Sequence, residues 1–198
     1  CEFVEYIEKA KESLIGQVIH INTDKFGSPV EVAMTYNSTY NESILSFVNN
    51  INTKDHGTHV QGFRRALTRT LKKYADDNKL LEKAKIEVNP EDFREGLTAV
   101  VSVKVAEPQF EGQTKGKLGN SEVQGIVDKA VSECLEAFLE ENPTQAKMIV
   151  DKVILAAKAR TAAAHARQLV QRKSPLSGGG MPGKLSDCSD KDPAKCEL

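Results

Sequence analysis

The chain has no tryptophan, and aromatic residues make up only 6% of it. Any core must therefore be built from aliphatic side chains. Long apolar runs are also missing. None approaches the roughly 18 residues that a helical membrane span requires, so no membrane partner is expected. The first residues, Cys1-Glu2-Phe3-Val4-Glu5, are acidic and lack a signal-peptide pattern. Cysteine is sparse: residues 1, 134, 188 and 196 contain no CxxC pair, and the histidines at 20, 56, 59 and 165 are not spaced with them as zinc ligands. This excludes a disulfide framework and fits a reducing, cytoplasmic compartment. Cys134 falls on an apolar helical stripe and is expected to be a buried, inert thiol. For Cys188 and Cys196, on a polar tail, a thiol pair is expected rather than a disulfide. An excess of one charge is lacking too. The 27 basic and 28 acidic residues leave −1, which excludes a chain coated for nucleic acid but not a local patch. Gly178-Gly179-Gly180 is followed by no GK[ST], so it reads as linker and not as a phosphate loop.

What is present is enough for one full domain. The chain has 198 residues, 39% hydrophobic and 28% charged, so a core can form without metal or disulfide. The absence of an initiator Met and the abrupt end at Cys196-Glu197-Leu198 suggest a piece of something longer. A short helix is expected over 1–14. Strands are expected over 17–21, 30–36 and 44–49 from apolar alternation, with Gly27-Ser28-Pro29 as a turn. An Asn/Thr/Asp-rich loop follows over 49–58. Val60, Phe63, Leu67, Leu71 and Tyr74 predict a helix over 58–76. Arg64, Arg65, Arg69, Lys72 and Lys73 fill its remainder, with no acid between Gly57 and Ala75. Short helices and loops are expected over 79–95, with Glu91, Asp92 and Glu95 exposed. Residues 97–105, β-branched and apolar, predict a central strand ended by Pro108. Asn120 or Ser121 should cap the next helix. At Asn142-Pro143 the chain stops and restarts, Asn142 as N-cap and Pro143 as first helical residue, into an Ala-rich cationic helix to about 173. Residues 174–198 read as linker. The order β-β-β-α-β-α-α argues for an α+β sandwich, one mixed four-stranded sheet with helices on one side.

Several runs carry a resemblance: FVEY (3–6), GTHVQGFRRALTRTL (57–71), REGLTAVVSVKV (94–105), PQFEGQTKGKLGNSEV (108–123), ENP (141–143) and PGKLSDC (182–188). Six runs in order make the sequence similar to the B subunits of bacterial type II topoisomerases. LGNSEV and GKLSDC resemble the DNA gyrase branch more than topoisomerase IV. In such subunits an ATP-binding domain precedes a transducer domain, and a metal-binding TOPRIM domain follows. The resemblance implies that residues 1–173 are the transducer, including a long C-terminal helix over 143–173. Residues 174–198 would then be the linker and the start of TOPRIM. It also implies the ribosomal-protein-like second-domain fold shared with repair and chaperone ATPases, with a left-handed βαβ crossover that the usual handedness rule opposes.

The resemblance further implies roles for individual residues. Gln113 and Lys115 would reach the γ-phosphate of ATP, Lys115 as the catalytic cation, with a weaker claim for Thr114. A lysine ammonium is a compact charge suited to a terminal phosphate. Arg64 would line a cavity crossed by double-stranded DNA, bound without sequence preference. ATP and Mg2+ would be held mainly by the other domains, so this segment alone would bind no cofactor or metal and be inactive. Partners implied are those neighbouring domains, the gyrase A subunit in an assembly of two A and two B subunits, and DNA. His56 and His59, at a helix start, read as structural. A stand-alone nucleic-acid-binding module of the same fold stays open, as does a repair or chaperone relay, against which PGKLSDC argues. An EGDSAGG-type motif downstream of Leu198 would decide for the topoisomerase.

Overall fold

The computed structural model describes Val4, Tyr6, Ile7 and residues 13–177, with side chains described to residue 170. Val4, Tyr6 and Ile7 are helical, but Ser13 and Leu14, expected in the same helix, are not, and Ser13 forms an antiparallel bridge with Asn37; the remaining residues of 1–12, and the expectations for Gly178–Gly180, Cys188 and Cys196, lie outside the described residues. The chain divides into two compact units, 1–158 and 159–198.

The first unit holds strands β1 (Ile19–Thr23), β2 (Val30–Tyr36), β3 (Ser43–Val48), β4 (Ile51–Asn52) and β5 (Leu97–Val103) in one sheet of order β1-β2-β5-β3-β4. Helix α1 (Thr58–Asp77) connects the β3/β4 edge to β5, and α2 (Leu80–Ala84) and a 3-10 turn (Asp92–Arg94) complete the crossover. A small ribbon of β6 (Phe110–Glu111) and β7 (Lys117–Leu118) follows, then α3 (Ser121–Glu141) and α4 (Pro143–Ser177). The β3/β5 pair is parallel and all other pairs are antiparallel. The sheet is thus mixed as expected, but it has five strands, not four. The fifth is two residues long and follows a turn in which Asn49 and Asn50 both take positive φ (49° and 66°), the conformation of a tight type I′ hairpin. Two residues are too few to show periodicity, so the sequence read this stretch as loop.

The core lies between the sheet and the helices. Val32, Met34 and Tyr36 of β2, Ala99, Val101 and Val103 of β5, and Phe63, Leu67 and Leu71 of α1 are fully or almost fully buried. Fully burying each large aliphatic or aromatic side chain contributes about 1.5–3 kcal/mol. The alternation expected in β2 is blunted: Ala33 and Thr35 are buried as well. Ala33 sits between His20 on β1 and Val100 on β5, and a small side chain on an inner strand is shielded by its larger cross-strand neighbours. Helix α3 presents Val123, Val127, Ala130, Val131, Leu135 and Leu139 and packs along α1. The approach is close: a Cβ on Gly62 would stand 2.4 Å from the Gln124 carbonyl oxygen.

Three local expectations change. Asn142 directly precedes α4, as expected, and its carbonyl accepts from the Ala146 N–H at 3.0 Å, but its side chain caps the end of α3 and not the start of α4. Its backbone N–H and its Nδ2 both donate to the Phe138 carbonyl, at 2.9 and 3.0 Å, satisfying an orphan acceptor of the last turn. Asp92 is buried, not exposed, because its carboxylate accepts from the Asn89 N–H at 2.7 Å and closes the turn before β5. Glu95 is half-buried and lies 3.9 Å from Lys152 of α4. Cys134 is half-buried, and burial raises its thiol pKa. Within the first unit, α4 buries Ala146, Ile149, Val150, Val153, Ala156 and Ala157. In the second, residues 159–170 are exposed except for half-buried Arg160.

Candidate functional site

Gln113, Thr114 and Lys115 form the tip of the β6–β7 hairpin, and all three are exposed. Gly112 and Lys115 both have positive φ (78° and 54°), so the chain reverses within five residues. For lysine that backbone costs about 1 kcal/mol. Among the described residues, no hydrogen bond or ion pair engages the side chain of Gln113 or Lys115. An amide and an ammonium with no partner among the described residues thus lie two positions apart on one turn, free to donate to an incoming anion.

The fixed part is the base of the hairpin. Leu118 is completely buried. Its N–H donates to the His56 carbonyl at 3.0 Å, and the Asp55 N–H donates to the Gly116 carbonyl at 2.9 Å. Gly57 and Leu118 form a parallel bridge. Asn120 holds the other side. It occupies the expected N-cap position of α3 but makes no capping hydrogen bond there. Its Oδ1 instead accepts from the Gln109 N–H at 2.6 Å, and its Nδ2 donates to the Glu107 carbonyl at 3.2 Å and to Glu122 at 2.7 Å. The cap residue thus ties down the strand that leads into the hairpin.

A buried polar network supports the 53–59 segment. Ser46 Oγ lies 2.9 Å from the Thr53 carbonyl, 2.7 Å from Thr53 Oγ1 and 3.1 Å from His56 Nδ1. Thr53 Oγ1 lies 3.2 Å from His59 Nε2. Both histidines are structural in this setting, as expected. His59 is fully buried, and its Nδ1 has no partner among the described residues. Burial, with a smaller contribution from His56, pushes its pKa down to about 4. Burial and the nearby Arg64 lower that of His56. In the unfolded chain a histidine titrates near 6.5. Between that value and about 4 the unfolded chain binds a proton that folded His59 refuses. The stability contributed is whole above pH 6.5 and is lost as pH falls through this window. The melting temperature should drop more steeply between pH 7 and 4.5 in the native chain than in His59→Asn; equal slopes would refute the assignment.

Arg64 stands apart from the other cations of α1. Successive residues turn by about 100°, which puts 65, 69, 72 and 73 within an arc of about 100° and 64 roughly 80° beyond its edge. Arg65, Arg69 and Lys73 of that arc face α3. Arg69 pairs with Asp128 at 3.0 Å and donates to Ser132 at 2.6 Å, Lys73 pairs with Glu136 at 3.1 Å, and Arg65 lies 3.8 Å from Asp128. Two carboxylates some 60 residues downstream, Asp128 and Glu136, therefore offset part of the charge of the five cations expected from the sequence, through Arg65, Arg69 and Lys73. Arg64 meets a different acid, Glu42, in a bidentate pair: Nε to Oε1 at 2.9 Å and Nη2 to Oε2 at 2.8 Å. Sequence reasoning missed Glu42, Asp55 and the seat at Gly57, because each acts through a non-local contact that no periodicity records. No group of three or more His, Cys, Asp or Glu is placed to hold a metal ion among the described residues.

The fold matches that of solved type II topoisomerase segments. The ATPase domain of Thermus thermophilus gyrase B, solved in complex with an aminocoumarin, is similar with a TM-score of 0.79 and 39% identity, over 85% of this chain and 45% of that one. The ATP-binding domain of Francisella tularensis topoisomerase IV gives 0.69 and 32%, over 79% of this chain and 42% of that one. The class is thus that of type II topoisomerase B-type chains. The DNA gyrase B family model matches residues 1–169, and the chain belongs to that family. The DNA gyrase B protein of Cytophaga aurantiaca is 64% identical over 197 residues, covering 100% of this chain and 41% of the relative. That of Mycobacterium tuberculosis is 49% identical over 197 residues, covering 100% of this chain and 29% of the relative. The chain spans about two fifths of the Cytophaga protein's length. The topoisomerase IV branch is not favoured. No described helix is long and apolar enough to cross a membrane.

Proposed function

We propose that this chain is the energy-transducing domain of a DNA gyrase B protein, and that Lys115 and Gln113 sense the γ-phosphate of ATP. The observation that carries the reading is the unpaired Lys115 ammonium on a hairpin anchored at Gly57 and Leu118. Lys115 Nζ and Gln113 Nε2 donate charge-assisted hydrogen bonds to the terminal phosphate while it is present. Phosphoryl transfer depends mostly on positioning and charge neutralisation, and Lys115 supplies part of that neutralisation. Once the phosphate departs, both donors lose their acceptor. A ligand shifts an equilibrium only by its difference in affinity for the two states, and these lost contacts are that difference. The domain then moves relative to its nucleotide-binding neighbour, and α4 carries the movement onward.

In the same reading, residues 1–173 are the transducer and 174–198 lead into TOPRIM. The left-handed crossover lies between β3 and β5, which α1 bridges. Mg2+ would be held with ATP by the preceding domain, where it would neutralise phosphate charge. Arg64 contacts duplex DNA, and the gyrase A subunit completes the cytoplasmic assembly that supercoils it. The segment alone is inactive. Crystal structures of the ATP-binding and transducer domains together, with a non-hydrolysable ATP analogue and with ADP, test the reading. Lys115 Nζ should lie within about 3 Å of a γ-phosphate oxygen in the first and have moved away in the second. A side chain remote from the nucleotide in the analogue complex would overturn it.

A further inference from the structure

The acid that holds Arg64 holds a second guanidinium. Arg94 Nη1 lies 3.7 Å from Glu42 Oε2, on the same oxygen that Arg64 Nη2 reaches at 2.8 Å. Three elements converge here: Glu42 precedes β3, Arg64 is on α1, and Arg94 ends the 3-10 turn before β5. The side chains of Arg64, Arg94 and Glu42 are 32%, 21% and 23% exposed, so all three are confined yet reachable. Two cations share one carboxylate, which leaves one positive charge uncompensated. The nearest other acid in sequence, Glu95, lies toward Lys152.

Glu42 is itself held in place. Its loop is pinned at Asn37, which is fully buried. Asn37 Oδ1 accepts from the N–H and the hydroxyl of Thr39 at 2.9 and 2.6 Å, and its Nδ2 donates to Thr98 at 3.2 Å. Lys152 braces the loop from α4, with Nζ donating to the Ser38 carbonyl at 3.4 Å and lying 5.0 Å from the centre of the Tyr40 ring. On the other side, Arg94 Nε donates to the Pro90 carbonyl at 3.3 Å. Arg64 is thus held by two hydrogen bonds to Glu42 and Arg94 by one to the Pro90 carbonyl before any ligand arrives. A fixed fork matches phosphate geometry better than a flexible ammonium does.

We propose that Arg64 and Arg94 form one composite site for a DNA backbone phosphate, with Glu42 as the positioning residue that aligns them and tempers their charge. This rests on the reading above that Arg64 meets duplex DNA. An arriving phosphate competes with Glu42 for the guanidinium donors. The carboxylate therefore keeps binding weak enough to release a passing duplex.

The test uses the assembled enzyme of both gyrase proteins with linear duplex DNA, reading the DNA concentration that half-saturates ATPase stimulation across a salt series. Each phosphate contact contributes about −0.9 to the slope of log affinity against log salt. Arg94→Gln should raise the half-saturating concentration about 5–10-fold and make the slope shallower by about one. Arg94→Lys, which retains a point charge, should restore most of the slope. Glu42→Gln should act in the opposite direction: half-saturation about 3–10-fold tighter at low salt, with a steeper slope, because the site gains a net charge. A purely structural Glu42 would give weaker or unchanged DNA response on the same substitution. An unchanged slope in Arg94→Gln, with a native melting temperature, would overturn the composite site. If Glu42→Gln fails to fold, the comparison of Arg94→Gln with Arg94→Lys decides the matter alone. Arg64→Gln separates the two levels. Should it abolish the DNA response while the other variants leave it unaltered, the composite site falls and the Arg64 reading stands. Should it leave the response intact, the underlying reading falls.

Discussion

Replacing Lys115 by alanine in the full-length protein should lower ATP turnover about 100-fold while leaving the melting temperature unchanged. The two halves of this expectation have separate grounds. Stability should not move because the Lys115 side chain is exposed and has no partner to lose among the described residues; such surface substitutions stay within about 0.5 kcal/mol. The backbone adds no difference, since alanine and lysine bear a similar penalty at φ 54°. Turnover should fall because one preorganised donor aimed at charge that develops during reaction is worth roughly 100- to 1,000-fold. The partner substitution Gln113→Ala removes a neutral donor and should cost about tenfold less, since the ammonium brings a full positive charge to the developing anion and the amide brings none. Lys115→Arg should not rescue fully, because a planar fork does not reproduce a compact ammonium on this tight turn. Steady-state ATPase assays with melting curves on the same samples decide the matter. A loss under threefold in Lys115→Ala would remove the residue from the γ-phosphate.

How far the sequence could be read follows from which interactions are local. The helices around Phe63 and Val127 and the central strand of Val101 and Val103 were legible, because helical spacing and β-branched runs are properties of a short window. The polar tip with Gln113 and Lys115 was legible as a loop, since Gly112 and Gly116 bracket it. What holds that loop was not. The Leu118–His56 and Gly116–Asp55 hydrogen bonds join segments about 60 residues apart, and no periodicity records such a contact. The same applies to charge. Arg65, Arg69 and Lys73 read as an open cationic face only because Asp128 and Glu136 lie on a different helix. Asn120 and Asn142 stand at helix boundaries, as expected. Their side chains serve other partners, because a cap position states where a helix begins or ends and not which orphan group the amide satisfies.

Gly57→Ala should be the most damaging single-methyl change near the site. Gly57 has φ 137°, a backbone that L side chains rarely adopt, and an added Cβ would stand 2.4, 2.5 and 2.9 Å from the O, N and Cα of Leu118. Those atoms are backbone of β7 and cannot rotate away, so the hairpin must lift. Lifting it breaks the Gly57–Leu118 bridge and stretches the hydrogen bond from Leu118 N–H to His56. It also draws the fully buried Leu118 side chain from the core. Strain of about 1–3 kcal/mol and partial loss of a buried leucine together give about 3 kcal/mol. For a domain of this size that lowers the melting temperature by roughly 6–12 °C. Gly112→Ala is the control. Its φ is 78°, but nothing lies within 4 Å of the added Cβ, so it bears only the backbone penalty of about 1 kcal/mol. The functional consequence should follow the same order. An error of about 1 Å in placing a catalytic group costs on the order of 100-fold. The fraction of Gly57→Ala protein that remains folded should therefore turn over ATP nearly as slowly as Lys115→Ala, with its lysine intact. Folded Gly57→Ala with native turnover would mean that the hairpin's seat does not set the position of its tip.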